Sequence, residues 1–310
     1  LAQQWAEVLG LPVDEIGRDA DFFERGGTSL SAVKLILKLG RTITLRDVTG
    51  SPVLADLAAL IDGRREERSG VLQRLATADG SRHGLVLFPY AGGGPVNFHA
   101  FAQALRAAGI STHAVQLPGH DVGADAGSFA GLEQTVKEVV AEIGELGLET
   151  VTLWGHSAGA AFAVHAALQL EEQGTRVHQV LVGARDLDPV EVLQADVAEI
   201  SELSTEELKR RLSAQPAFHE LDQLRPEHAA HVAEAYRHDV RVAAQYLADL
   251  QTAPPARRLS APLTVVTARD DAGRVDHRRW HVVAEHVDRH EISGGGHYFL
   301  ATHAAEAVTA

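Results

Sequence analysis

The sequence predicts two domains of different fold class: a small all-α domain at residues 1–62 and an α/β domain with a mostly parallel sheet at residues 85–310. Up to residue 62, apolar residues recur at the spacing of amphipathic helices. Beyond residue 84, short runs of β-forming residues alternate with longer helical patterns, which is typical of a sheet covered by helices on both faces. Residues 63–84 are polar and charged, and we expect them to form a linker.

Composition narrows the class of protein before any motif is considered. The length of 310 residues suits one small and one medium domain, and the net charge of −14 argues against nucleic-acid binding, which depends on clustered Lys and Arg. No apolar run approaches the ~20 residues that cross a bilayer, and the first residues do not resemble a secretory signal. The absence of Cys excludes disulfides and thiolate metal sites. We therefore expect a cytoplasmic protein that binds neither nucleic acid nor membranes, and we predict no metal site.

Three helices are predicted in the small domain. The first ends at Gly10 and Pro12, both of which disfavour continuation of a helix. The second covers residues 29–37, and the third covers residues 52–60 with Ser51 as its N-cap. A bundle of this size has a thin core and marginal stability, which suits a mobile module.

The α/β domain is predicted to contain six core strands. They lie at residues 85–88, 112–115, 151–154, 180–182, 263–266 and 291–293. Residues 71–75, inside the predicted linker, have the pattern of an added helical turn. Between about residue 187 and residue 259 the pattern is helical throughout, which is too long for a simple crossover. We expect residues 190–250 to form a helical lid.

A serine follows two glycines at the start of the second predicted helix, in the sequence Gly26-Gly27-Thr28-Ser29. Free backbone N–H groups and the positive end of the helix dipole face this position, so they would stabilise a phosphate attached to Ser29. The glycines let the preceding loop turn tightly. Alternatively, Thr28 or Ser29 simply caps the helix.

A second serine lies in the sequence Gly155-His156-Ser157-Ala158-Gly159, after a predicted strand and before a predicted helix. This context is the one required for a nucleophile elbow, in which a strained turn exposes the serine hydroxyl and needs glycines on both sides. The N–H group of Ala158 then points towards a developing oxyanion. A second donor is expected from the glycine-rich loop at residues 89–94, and we assign it to Ala91.

A nucleophilic serine needs a base, and the chain has 17 His. His297 is the best candidate because it follows three glycines after the last predicted strand, and the chain order serine, acid, histidine places the base there. His303 and His290 are weaker candidates because neither lies in a flexible loop at that strand end. His156 and Trp154 flank the elbow, and we expect them to help shape the pocket.

The base in turn needs a carboxylate that orients it, and three residues are candidates for this role. Asp271 is favoured because it follows the strand predicted at residues 263–266, where such an acid belongs. Asp270, its neighbour, and Asp186, which follows the preceding strand, are the alternatives.

The string Asp21-Phe22-Phe23-Glu24-Arg25-Gly26-Gly27-Thr28-Ser29-Leu30 resembles the peptidyl carrier domains of nonribosomal peptide synthetases. The resemblance covers nearly all of residues 1–62. It implies a four-helix bundle that carries 4′-phosphopantetheine covalently on Ser29, where a phosphopantetheinyl transferase attaches it.

Four strings in the rest of the chain resemble the thioesterases of nonribosomal peptide and polyketide synthesis. They are residues 88–93, 117–121, 155–159 and 295–299. This resemblance implies an α/β-hydrolase fold with a helical lid and the catalytic residues Ser157, His297 and Asp271. The first string and the late acid are similar to the stand-alone editing branch (type II), but here the domain is fused to a carrier. This combination, including Asn97-Phe98 and residues 235–239, is similar to the C-terminal end of indigoidine synthetases.

Together, the resemblances imply that an acyl or aminoacyl thioester is held on the arm at Ser29 and transferred to Ser157. Hydrolysis or cyclisation would then release it as the last step of nonribosomal peptide or pigment synthesis. The expected partners are upstream adenylation and oxidase or condensation domains of the same synthetase. Two alternatives stay open: an editing thioesterase that clears misloaded carriers, and a catalytically idle domain that only docks and positions the carrier.

Overall fold

The computed structural model describes residues 1–39, 43, 47–48, 51–78, 82–107, 109–120, 129–219, 221–271 and 276–309. The chain divides into two compact units, Leu1–Gly70 and Val71–Ala310. Each unit has a hydrophobic core of its own. The boundary falls inside residues 63–84, the segment predicted to be a linker.

Three α-helices form the described part of the first unit: α1 (Ala2–Leu9), α2 (Ser29–Lys38) and α3 (Leu54–Ser69). Their shared core includes the rings of Trp5 and Phe22, whose centroids are 5.0 Å apart. As predicted, α1 ends at Gly10, which has a positive φ of 70°. The fourth helix that the carrier resemblance implies would belong to residues 40–50, most of which lie outside the described residues.

The prediction for the start of α3 is wrong, and Ser51 is not its cap. The N-cap residue is Val53, which has an extended backbone and makes no capping hydrogen bond with its side chain. The carbonyl of Pro52 accepts a hydrogen bond from the N–H group of Phe22 at 2.9 Å, and Val53 pairs with Asp21 in an isolated bridge. Because these contacts hold the chain extended, the helix begins only after them.

The second unit is built on a sheet whose seven described strands have the order β1-β3-β2-β4-β5-β6-β7. The strands are β1 (Leu72–Ala76), β2 (His83–Phe88), β3 (Ser111–Val115), β4 (Thr150–His156), β5 (Val177–Gly183), β6 (Leu263–Ala268) and β7 (Val287–Ile292). Neighbouring strands are parallel except for β1 and β3, which are antiparallel. The predicted α/β fold with a mostly parallel sheet is therefore confirmed.

Helices cover both faces of this sheet, and the described residues of the unit contain seven α-helices in all. They are α4 (His99–Ala107), α5 (Leu132–Glu145), α6 (Gly159–Glu172), α7 (Val190–Glu202), α8 (Thr205–Ser213), α9 (Pro226–Thr252) and α10 (Ala304–Ala307). One core contains Val136 of α5, Phe162 of α6 and Leu247 of α9. The other contains Phe101 and Leu105 of α4. Because both faces are covered, central strands such as β4 are buried along most of their length.

Much of the segment predicted as a linker, residues 63–84, has regular structure, because α3 continues to Ser69 and a strand follows it. Residues 71–75 have the pattern of a helical turn, but the structure places β1 there, paired with β3. The carboxylate of Glu142 accepts hydrogen bonds from the N–H groups of Val71 and Leu72 at 2.7 and 2.8 Å, and the N–H group of Gln116 donates to the carbonyl of Val71. These contacts come from residues far away in sequence, so a local pattern does not reveal them.

The segment predicted as a lid, residues 190–250, is helical as expected, but it consists of two parts. Leu208 and Leu212 of α8 and Ala233 of α9 pack in a separate cluster around Tyr90. The C-terminal half of α9, which includes Leu247, belongs instead to the main core. Only α8 and the first half of α9 therefore have the packing expected of a mobile lid. In the part of the chain that the structure describes, no helix is long and apolar enough to span a membrane.

Candidate active site

Ser157 lies on a sharp turn between β4 and α6. Its φ of 54° is in the left-handed region, which is strained for a residue with a side chain. Backbone approaches in this turn are very close: a Cβ atom at Gly155 would collide with the carbonyl of Gly159, and one at Gly159 with the carbonyl of Phe88. Glycine is therefore required on both sides of the serine, as expected for a nucleophile elbow.

His297 faces the serine hydroxyl. The Nε2 atom of His297 is 3.0 Å from the Oγ atom of Ser157. The Nδ1 atom of His297 is 3.4 Å from the Oδ2 atom of Asp271. Burial lowers the pKa of His297, and the nearby carboxylate of Asp271 partly offsets this effect. The imidazole is therefore kept neutral, the form in which it can accept the serine proton.

The structure separates the three candidate acids by their contacts. Asp271 is the one beside His297. The carboxylate of Asp270 accepts hydrogen bonds from the N–H groups of Gly295 and Gly296 at 3.2 and 2.9 Å. Asp186, which follows β5, has a pKa raised to about 6 by burial and by the neighbouring Asp188. Of the three, Asp271 has the position of the orienting carboxylate.

The loop that presents His297 is held from several sides. Asp270 holds its glycines, and the carboxylate of Glu306 accepts hydrogen bonds from the N–H group and the hydroxyl of Ser293 at 2.8 and 2.5 Å. From the elbow, the Nε2–H group of His156 donates to the carbonyl of His297 at 2.7 Å. Sequence reasoning placed Asp270 among the candidate acids and His156 in the pocket wall, and it missed Glu306. The contacts of all three serve to position the base.

The loop with Ala91 is tied to α9. The N–H group of Gly92 donates to the carboxylate of Asp239 at 2.8 Å, and the same carboxylate accepts a hydrogen bond from Nε2 of His120 at 2.8 Å. Asp239 is buried, with 1% of its surface exposed. Buried charges are nearly always paired, and the pairing of Asp239 with the Gly92 N–H group and His120 follows this rule. Sequence reasoning missed this pairing.

Ser157 opens into a cavity of about 340 Å³. Ala91 and Ala158 line the same cavity, and for neither of their N–H groups does the structure show a hydrogen-bond partner among the described residues. Residues from α7, α8 and α9 form the opposite wall. The nucleophile, the base and the two residues expected to supply oxyanion donors therefore meet at one cavity, which is the arrangement that acyl transfer needs.

In the first unit, α2 begins at Ser29, and Thr28 lies just before it. The Oγ1 atom of Thr28 accepts a hydrogen bond from the N–H group of Ser31 at 3.2 Å, and the Oγ atom of Ser31 accepts one from the N–H group of Thr28 at 2.6 Å. Capping is thus done by Thr28 and Ser31. A Cβ atom at Gly27 would collide with Phe22, so the preceding turn requires glycine.

Within the described residues, no group of three or more His, Asp or Glu is arranged to hold a metal ion.

The geometry predicts that Asp271→Asn lowers kcat for an acyl-pantetheine thioester roughly 10⁴-fold. An amide cannot stabilise the imidazolium that forms on His297, and it favours the wrong tautomer of the imidazole. The matched control Asp186→Asn should change kcat less than about threefold, because Asp186 does not contact His297. If the two variants gave reversed effects in steady-state kinetics, the acid would be Asp186.

We also predict that acid weakens the second unit through His156. Burial lowers the pKa of His156 from 6.5 to about 3, so between these values the unfolded chain binds a proton that the folded chain does not. The stabilisation is therefore complete above about pH 6.5 and is lost as the pH falls towards 3, at about 1.4 kcal/mol per pH unit. In urea-unfolding measurements, His156→Gln should show a shallower dependence on pH than the parent. Equal slopes would contradict a buried neutral imidazole.

Comparison with known proteins agrees with the fold and with the division of the chain into two units. The family model described as thioesterase domain matches residues 83–310, and the model described as phosphopantetheine attachment site matches residues 1–61. Among solved structures, the Vlm2 thioesterase domain bound with a dodecadepsipeptide has a TM-score of 0.59 at 22% identity, covering 77% of this chain and 95% of that one. At this identity the likeness concerns the fold alone.

Two curated relatives come from Streptomyces. The chain is 30% identical over 175 residues to indigoidine synthase of Streptomyces lavendulae, a match that covers 52% of this chain and 13% of the relative. It is 27% identical over 235 residues to the probable cadicidin biosynthesis thioesterase of Streptomyces griseus, covering 75% of this chain and 62% of the relative. The chain thus spans less than two thirds of both relatives. It belongs to the thioesterase domain family of serine α/β-hydrolases, joined here to a carrier domain of the nonribosomal peptide synthetase type, to which 4′-phosphopantetheine is covalently attached.

Proposed function

We propose that this chain holds an acyl or aminoacyl group as a thioester on phosphopantetheine at Ser29 and transfers it to Ser157 for release. The observation that carries the proposal is the line of hydrogen-bonding groups from Ser157 through His297 to Asp271, with distances of 3.0 and 3.4 Å. A serine, a neutral imidazole and a carboxylate in this order perform acyl transfer on several unrelated folds. The start of α2 supports the role of Ser29, because capping there is done by Thr28 and Ser31.

In the first half-reaction, Nε2 of His297 takes the proton of the Ser157 hydroxyl as Oγ attacks the thioester carbonyl. The N–H groups of Ala91 and Ala158 donate to the oxyanion that forms. The carbon–sulfur bond then breaks, the proton on His297 passes to the departing thiol of the arm, and the acyl group stays on Ser157 as an ester. Asp271 stabilises the imidazolium throughout this step.

In the second half-reaction, a new nucleophile enters. Water gives up a proton to His297 and attacks the ester, which releases a free acid, or an amine of the acyl group attacks and releases a cyclic product. The proton then returns to Oγ of Ser157. Either route uses the same donors at Ala91 and Ala158, so the oxyanion donors do not distinguish hydrolysis from cyclisation.

The proposal includes partners on the upstream side. Because the chain corresponds to 13% of indigoidine synthase, we expect adenylation and oxidase or condensation domains to supply the acyl group. A phosphopantetheinyl transferase would add the arm to Ser29. These assignments follow from the resemblance to whole synthetases.

An editing role is a second candidate, because the cavity at Ser157 has a volume of only about 340 Å³. A space of this size suits a small misloaded group better than a long peptide. Intact-mass analysis tests both roles: the chain is loaded with candidate acyl-pantetheines, and loss of the acyl mass is followed over time. Fast loss of one elaborated acyl group supports product release, whereas fast loss of many small acyl groups supports editing. Retention of every acyl group would contradict both and favour an idle domain.

A further inference from the structure

A second cavity lies beside the one at Ser157. Its volume is about 780 Å³, and it extends past Asn97, Pro216 and Leu300. The two cavities share five wall residues: Tyr90, Gln215, Tyr236, His297 and Tyr298. A thin wall of side chains is therefore what separates the two spaces.

The wall is closed by a hydrogen bond across it. The phenol of Tyr298 donates to Oε1 of Gln215 at 2.5 Å, and the same amide interacts with the phenol of Tyr236. The ring of Tyr298 is 4.9 Å from that of Tyr90 in an edge-to-face arrangement. Phe218, next to the turn with Gln215, packs on Tyr90 and Tyr236 with ring centroids 5.9 Å apart in each case.

The positions of the catalytic groups assign the acyl half of the thioester to one cavity and leave the other open to the thiol half. Ser157, Ala91 and Ala158 line the smaller cavity, so the carbonyl carbon and its oxyanion must form there. Ser157 is not among the described residues that line the larger cavity, but His297 borders both. The carbonyl carbon carries the acyl group, so the smaller cavity is the one that receives this group. Because His297 borders both cavities, a thiol that leaves into the larger one can still receive its proton from His297.

We propose that the Tyr298–Gln215 hydrogen bond is a partition that limits the size of the acyl group by separating it from the pantetheine arm. This inference rests on the proposed function, because it places the two halves of that thioester. At about 30 Å³ for a group the size of a water molecule, about 340 Å³ holds roughly a dozen non-hydrogen atoms. Such a cavity accommodates one aminoacyl residue or a short acyl chain more readily than an oligopeptide.

The test compares pantetheine thioesters of alanine and of tetra-alanine, which differ in length and share their chemistry. The parent chain should favour the alanyl thioester in kcat/KM by at least about tenfold. Gln215→Ala removes one side of the partition and should reduce this preference by about tenfold. Tyr298→Phe keeps the ring and loses only the hydrogen bond, so it should shift the preference in the same direction. Because this change is small, it tests the hydrogen bond even if Gln215→Ala fails to fold.

Two further variants complete the design. Gln194→Ala, an exposed glutamine on α7, is the matched control and should keep the preference of the parent. Ala301→Trp narrows the larger cavity. It should lower kcat/KM for alanyl-pantetheine about tenfold more than kcat/KM for the alanyl thioester of methanethiol, because the second substrate lacks the pantetheine arm.

Equal turnover of both lengths by the parent would overturn the partition and leave the proposed function intact. An unchanged length preference in both Gln215→Ala and Tyr298→Phe would also overturn it. If the folded parent turned over neither thioester, the proposed function would fail, and this assignment would fail with it.

Discussion

Ser157→Ala should stop the discharge of an acyl group from the carrier arm. Removal of the nucleophile from a serine triad lowers turnover by roughly 10⁴- to 10⁶-fold, because the remaining groups can only stabilise the attack of water. On the loaded chain, we therefore expect the acyl mass to persist for hours in the variant, whereas the parent loses it. Intact-mass spectrometry of the loaded chain over time gives this measurement directly.

The matched control for this experiment is Ser201→Ala. Ser201 is an exposed serine on α7 whose hydroxyl donates to the carbonyl of Val197 in its own helix, so the control should discharge like the parent. A serine-directed phosphonate should label the parent at Ser157 and leave Ser157→Ala unlabelled. Discharge at the parental rate in Ser157→Ala would rule out the mechanism proposed here.

Ser29→Ala should abolish loading of the arm. With coenzyme A and a phosphopantetheinyl transferase, the parent should gain the mass of one arm, and the variant should gain none, because the phosphodiester needs the hydroxyl at the first residue of α2. Since Thr28 and Ser31 supply the capping hydrogen bonds, this substitution should leave the helix in place. Circular dichroism then separates loss of loading from loss of fold.

Ser31→Ala is the matched control for loading. It removes a capping partner of Thr28 and should cost the first unit about 0.5–2 kcal/mol of stability, but it should still accept one arm. An arm mapped by peptide mass analysis to Ser31 or to Ser157 would contradict the carrier assignment at Ser29.

The elbow and the helix start were both predictable from sequence, because each depends on stereochemistry between near neighbours. A serine between glycines, after a β-type run and before a helical one, folds into the turn seen at Ser157 with its φ of 54°. The start of α2 at Ser29 follows in the same way from the glycines before it and the helical pattern after it.

The edge strand β1 and the start of α3 were not predictable in this way. Residues 71–75 have a pattern compatible with a helical turn, and they become a strand only because β3 and the carboxylate of Glu142 satisfy their backbone groups. The start of α3 shifts because Phe22 and Asp21 hold Pro52 and Val53 in an extended conformation. In both cases a distant partner overrides local preference.

By itself, the sequence determined the two fold classes, the serines at the elbow and at the helix start, and His297 as the candidate base. These conclusions follow from periodicity and from motifs whose parts lie within a few residues of one another. It left the acid open between Asp271, Asp270 and Asp186, because all three follow strands of one sheet and sequence does not say how loops turn beyond a strand end. The tertiary structure alone placed Asp271 at 3.4 Å from His297. It also decided the hydrogen bond from the Gly92 N–H group to Asp239 and the one from Tyr298 to Gln215 in the wall between the two cavities. Each joins groups that are more than 80 residues apart in sequence, so only the folded chain brings them together.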